Sequence, residues 1–352
     1  MRTVLTISIF IIAGLFTALF IGFDIQGGRA PLAADDEQEG LDDQIVLRFS
    51  HVAAENTPKG QAVRRFASLV QERTDGKVKV EVYANGVLYG DINEYKAVQD
   101  GHVEMIAPAT SKLTSRFPNW QVLDLPFLFP NYAAVEEAYK GPIGQQLMAD
   151  LEGEPVKGLT FWYSGFKQVT NDKRPISHPY DFKRLHFRIM PSAVIKEQFD
   201  QLNASTSVIP FNKTYRNLEV NFIDGQENTI SNIYTKRFYL EQQYLTMSNH
   251  GYLGSVVLIN EEFWDSLPQD IQEQIQASLD ETTDWVWRHS IEMNDRYIRA
   301  LKRNSDMEIH VLTNAERSRW QNALQPVYNR FEQEIDSELM EEVYQLRKKY
   351  MK

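Results

Sequence analysis

After Pro268 the chain runs to about Arg303 without a proline or glycine, and Ile271, Ile275, Leu279, Trp285, Val286 and Ile291 recur at helical spacing. A helix of about 35 residues, at about 1.5 Å each, reaches about 50 Å. That exceeds the width of one ordinary lobe. A chain of 352 residues with 43% hydrophobic composition can form one large domain or two of ordinary size around a real core, and a helix of that length would brace two lobes.

The chain before it alternates strand and helix signals. Gln44–Ser50 reads as a short apolar strand. Thr57 is a fitting N-cap, with Pro58 at the first helical position. Ala62, Val63, Phe66, Leu69 and Val70 then repeat with helical period until Asp75-Gly76 stops them. Lys77–Tyr83 alternates as a strand with one wet face, Asn93–Gln99 is a short helix, and Val103–Ala107 is a buried strand. This β-α-β-α-β order predicts a mostly parallel sheet with helices on its faces. The pattern restarts with strands at Val156–Tyr163 and Leu185–Met190, a helix at Ser192–Leu202, a strand at Ser205–Ile209 and a helix at Asn212–Val220. Leu245–Asn249 and Leu253–Asn260 read as strands passing between the lobes. Met307–Leu312 is a last strand, and Thr313 with Glu316 has capping-box spacing. Ser337–Lys352 forms a final amphipathic helix that either packs back on the body or joins two chains.

The fold class expected is therefore α/β with two lobes. The boundaries expected are residues 44–165 plus 254–293 for lobe I, 166–253 plus 294–336 for lobe II, and 337–352 for the C-terminal helix. Residues 1–23 precede them as a membrane segment. Val4–Phe23 holds twenty uncharged residues, enough for about 30 Å of hydrocarbon, so it is an uncleaved anchor or a cleaved export signal. Gly28-Arg29-Ala30 offers a cleavage site that Pro31 obstructs. Residues 24–43 carry six acidic residues from Asp35 to Asp43 and read as a solvated tether. Arg2 on the inner flank places the body outside the cytoplasm.

Composition narrows the function. With 37 Lys+Arg against 48 Asp+Glu the formal charge is −11, which argues against nucleic acid as a partner. The absence of cysteine excludes disulfides, thiol catalysis, iron–sulfur clusters and a lipid-modified N-terminal cysteine. No HExxH, GxGxxG, Walker loop or GxSxG occurs. No metal or other cofactor is expected, and the weight shifts from an enzyme towards a binding protein. Three segments could meet an anion. Gly165-Phe166-Lys167-Gln168 follows a strand, where open α/β sheets bind ligands, although a solvated loop lysine is the plainer reading of Lys167. Arg188 lies inside an apolar strand and needs a carboxylate, from the protein or from a ligand. Asp224-Gly225 opens a turn before a short helix, whose amides, with Asn228, can donate to an anion or simply cap the helix.

These segments, with Phe49–Gly60, Val220–Asn228 and Asn249–Gly254, resemble the DctP-type solute-binding proteins of TRAP transporters, in their C4-dicarboxylate branch. The likeness runs from Gln44 to about Glu334. It implies a periplasmic-binding-protein-like fold whose lobes close on an organic acid. It also implies a carboxylate-binding role for Arg188, a second basic contact at Lys167, a ligand-facing Asn228, a packing ring at Phe211, and first-lobe contacts near His51, Asn56 and Ser111. Thr229 departs from the proline that commonly follows the asparagine. The implied function is an extracytoplasmic receptor, tethered through its N-terminal segment, that delivers malate, succinate or fumarate to TRAP permease subunits. A receptor feeding a sensor kinase, and an extracellular organic-acid enzyme, are the alternatives.

Overall fold

In the computed structural model, described over residues 44–350, one nine-stranded mixed sheet runs through the molecule in the order β2-β1-β3-β8-β4-β7-β5-β6, with β9 beside β8. The strands are β1 (Ile45–Ser50), β2 (Val78–Tyr83), β3 (Met105–Ile106), β4 (Val156–Asn171), β5 (His186–Ile189), β6 (Ser205–Val208), β7 (Gly225–Thr229), β8 (Tyr244–Asn260) and β9 (Glu308–Val311). The two ends are parallel, as the βαβ pattern predicts: β1 pairs with β2 and β3, and β5 with β6 and β7. The centre is antiparallel, where β4 pairs with β8 and β7.

Two of these strands are longer than the sequence pattern implies. β4 has 16 residues and continues through Gly165–Asn171. β8 has 17 residues and fuses the two strands expected at 245–249 and 253–260. Both cross from one half of the sheet to the other. Gly165 pairs with Leu253 where they cross, and the ladder slips between Tyr163 and Gly165 and again between Lys167 and Val169. Gly165 has φ +141 and lies so close to Asn294 that a Cβ there would sit 2.6 Å from Nδ2. Only glycine fits that backbone and that approach.

The helices are α1 (Pro58–Arg73), α2 (Glu94–Gln99), α3 (Tyr132–Lys140), α4 (Pro142–Ala149), α5 (Ala193–Gln201), α6 (Thr214–Glu219), α7 (Ile230–Thr235), α8 (Glu261–Ser266), α9 (Gln269–Asn304), α10 (Asn314–Phe331) and α11 (Ser337–Tyr350). Thr57 caps α1 by accepting from the Gly60 amide, with Pro58 next to it. The Thr313/Glu316 capping box opens α10. α9 has 36 residues and is the brace that its uninterrupted pattern predicts. At its middle, Asn294 Nδ2 donates to the Ser164 carbonyl at 2.7 Å, and its Oδ1 accepts from the Ser231 amide at 2.9 Å. One side chain thus ties the brace to β4 and to the start of α7. α11 packs back on the body: Leu339, Met340, Val343 and Leu346 are buried, and Tyr350 donates to Glu137 of α3 at 2.6 Å.

One large core runs through both halves, from Leu47 and Phe66 to Phe187, Phe199 and Trp320, and a smaller apolar cluster lies in the second half. Val52, from the first half, belongs to that second cluster. The Phe211 amide donates to Asp91 at 2.5 Å, and Gln198 Nε2 to the Asp124 carbonyl at 2.7 Å. The halves are therefore in contact across the cleft. Among the described residues no helix is long and apolar enough to cross a membrane. The anchor or signal at 1–23 and the tether at 24–43 lie outside the described residues.

Candidate ligand-binding site

Between the halves lies a cavity with about 490 Å³ of non-atom space, part of it open solvent. Thr57, Lys59, Asp91 and Lys112 form one side. Arg188, Phe211, Asn228 and Asn232 form the other.

Arg188 reaches this wall because it sits on β5, between β6 and β7, with its side chain directed inward. It is 3% exposed. Its Nε donates to the Ile209 carbonyl at 2.9 Å. Among the described residues no hydrogen bond or ion pair engages its two terminal nitrogens. Burial pulls its pKa below the ordinary value, and the nearby charges of Asp91 and Glu227 only partly oppose that. The Phe211 ring lies 5.9 Å from the guanidinium carbon. The result is a planar two-donor fork in a buried wall, the geometry that takes a carboxylate in two parallel bonds.

Asn228 presents a complementary donor. Its Oδ1 accepts from the Thr229 amide at 3.1 Å and from Asn232 Nδ2 at 2.7 Å. A backbone N–H can only donate, so the amide oxygen is fixed on that side and the NH₂ group is left for the cavity. The expectation of a turn leading straight into a helix gives way here to a strand. Asn228 lies on β7, and Thr229, the residue standing where a proline was expected, caps α7 by accepting from the Asn232 amide at 3.3 Å.

Lys59 and Lys112 were missed by the sequence reading. Lys112 contacts Asp91 and donates to Glu94 at 2.8 Å. Burial opposes its charge, but Glu94 and Asp91 outweigh it and raise its pKa. Asp91 in turn stays ionised against its own burial because Lys112 faces it. Among the described residues Lys59 has no ion-pair partner: its Nζ donates to the Ala107 carbonyl at 2.7 Å. Burial, with Lys112 beside it, pulls its pKa down to about 8. Nothing in the local pattern marks Lys112. A lysine right after a Thr-Pro helix start is a weak signal, since a cation is unfavourable at that end of a helix.

Four expected residues are not on the cavity wall. Lys167 differs most, because Gly165–Gln168 continues β4 and is not a loop. The side chain is 2% exposed, and Nζ donates to Glu227 Oε1 at 2.8 Å. Glu227 Oε2 accepts from His250 Nε2 at 2.8 Å, and Ser248 Oγ bonds His250 Nδ1 at 2.7 Å. Glu227 is held well below the carboxylate range by Lys167 and His250, against its burial. Ser111 is buried and donates to Asp124 at 2.6 Å. Asn56 is exposed, and its carbonyl accepts from Tyr297 at 2.9 Å. His51 is fully buried, with its pKa pushed down to about 3 by burial and by Lys59, so it is neutral.

A family model described as bacterial extracellular solute-binding protein, family 7, matches residues 49–334. The chain belongs to this family. It is 46% identical over 348 residues to the C4-dicarboxylate-binding protein DctB of Bacillus subtilis, covering 99% of each chain. A TRAP periplasmic solute-binding protein of Shewanella oneidensis, solved with bound succinate, superimposes with a TM-score of 0.84 at 36% identity, covering 86% of this chain and 99% of that one. A Pseudomonas aeruginosa counterpart with bound L-malate gives 0.79 at 32% identity, covering 81% and 99%. The family fold is two-lobed, and its members are extracytoplasmic receptors for solutes.

Proposed function

We propose that this chain binds a C4-dicarboxylate between its lobes and delivers it to TRAP-type permease subunits. The observation that carries the reading is the Arg188 guanidinium, buried at the cavity wall with both terminal nitrogens unengaged among the described residues. A buried cation without a counter-ion is costly, and a ligand carboxylate removes that cost. Asn228 NH₂ and the Phe211 ring complete that end of the site. Similarity to proteins named or solved with C4-dicarboxylates supports the choice of ligand. The receptor reading agrees with the state of the carboxylate on the wall, Asp91, which is already engaged by Lys112 and the Phe211 amide.

We place the lobe boundaries where β4, β8 and α9 cross, at 165, 253 and 294, so that closure bends the ladder slips beside Gly165. Lys167 belongs to this hinge as a structural ion pair. Residues 1–23 hold the receptor at the outer face of the membrane; cell fractionation checks this, and release of the full-length chain into the soluble fraction opposes it. Calorimetry with succinate, malate and fumarate tests the ligand. Wild type binds with about micromolar affinity, and Arg188→Ala, still folded by circular dichroism, loses about a hundredfold or more. Unchanged affinity in Arg188→Ala refutes the assignment.

A further inference from the structure

We infer that Lys59 selects a dianion over a monoanion by meeting the ligand carboxylate remote from Arg188. The inference rests on the dicarboxylate reading above and adds to it the residue that sets the charge of the ligand.

Lys59 is the second residue of the 16-residue α1, at the end where the helix dipole is positive. It is 7% exposed. Its neighbour on the same wall, Lys112, is also a cation. Its one hydrogen bond goes to a neutral carbonyl, that of Ala107, and among the described residues it makes no ion pair. An ammonium has three donors, so two are unspent. Lys112 supplies the contrast, because it carries Asp91 and Glu94 as built-in counter-ions. Lys59 and Arg188 therefore stand on opposite walls of one cavity, each buried and, among the described residues, each without an ion-pair partner, with Asp91 acting on both only through space. One molecule with a carboxylate at each end neutralises both. A molecule with one carboxylate leaves the other cation buried and bare, so discrimination comes from a penalty as well as from an attraction.

The test uses the full chain in mild detergent, with succinate and with succinamate, in which an amide replaces one carboxylate. Wild type prefers succinate by about a hundredfold. In Lys59→Met the ratio falls below about tenfold, succinamate affinity changes less than about threefold, and the ligand-free melting temperature holds or rises because an unpaired buried cation is gone. In Lys59→Arg, which keeps the charge, the ratio stays within about tenfold of wild type. An unchanged ratio in Lys59→Met overturns the inference. So does equal weakening of both ligands with a lower ligand-free melting temperature, which marks a lysine that merely pins α1 to Ala107. Loss of the ratio in Lys59→Arg also contradicts it, and this arm decides if Lys59→Met does not fold. Wild type binding neither acid sinks the dicarboxylate reading itself. Wild type binding succinate while Lys59→Met keeps the ratio sinks the role of Lys59 alone.

Discussion

Arg188 on β5 and Lys167 on β4 are both basic, and both are at most 3% exposed. They differ in what faces them. Lys167 has Glu227 at 2.8 Å, and Glu227 has His250 at 2.8 Å, so the charge is neutralised inside the fold. Among the described residues, Arg188 bonds one backbone carbonyl, and the terminal nitrogens of its fork, turned to a cavity, have no hydrogen-bond or ion-pair partner. Burial alone does not mark a ligand contact. A missing counter-ion does, since a fold keeps a lone buried charge only where something else supplies the partner.

The largest expected effect separates the two in stability. Lys167→Met strands a buried Glu227 carboxylate and lowers unfolding free energy by about 3–5 kcal/mol, read from urea melts without ligand. Arg188→Met removes a charge with no ion-pair partner among the described residues and leaves ligand-free stability within about 1 kcal/mol of wild type or above it. Equal losses in the two variants erase the contrast. The same pair shapes the acid limb. The Glu227 pKa in the folded chain lies below its ordinary value of 4.5. Its contribution to stability is therefore present in full above pH 4.5 and is lost as pH falls from there through the folded value. Urea midpoints between pH 7 and pH 3 fall in wild type and fall less steeply in Glu227→Gln, once the common acid slope is subtracted.

In binding the order reverses. Lys167→Met combined with Glu227→Gln removes the pair together and keeps succinate affinity within about tenfold, whereas Arg188→Met loses about a hundredfold or more. A double variant as weak as Arg188→Met puts Lys167 in the site after all. Asn228→Ala removes one donor to an anion and weakens succinate by about tenfold. Thr229→Ala, which loses the cap of α7 and the hydrogen bond between Thr229 Oγ1 and Ser231 Oγ, costs about 1–2 kcal/mol of stability with affinity changed less than about threefold.

This contrast also marks how far the sequence was legible. The brace α9, the cap at Thr57 and the parallel ends of the sheet follow from periodicity and stop signals, which are local. The central antiparallel crossing does not. The bends at Gly165 and Asn249 look like loop signals, yet pairing with the neighbouring long strand overrides them. Lys167 was misplaced for that reason, because its partner Glu227 is sixty residues away. Arg188 was legible because an arginine inside an apolar strand raises the question of its counter-ion from local pattern alone. Lys59 and Lys112 were not, because the groups they meet, Ala107 for Lys59 and Asp91 and Glu94 for Lys112, lie 48, 21 and 18 residues away along the chain. His51, Asn56 and Ser111 came from likeness to the family, and here none of the three lies on the cavity wall.

The most direct test is a crystal structure of the protein with succinate. The account predicts one carboxylate bonded to the two terminal nitrogens of Arg188, inside the cavity bounded by Phe211 and Asn228, with the Lys167–Glu227 pair intact. Succinate found elsewhere, or bound to a Lys167 that has left Glu227 while Arg188 stays empty, contradicts it.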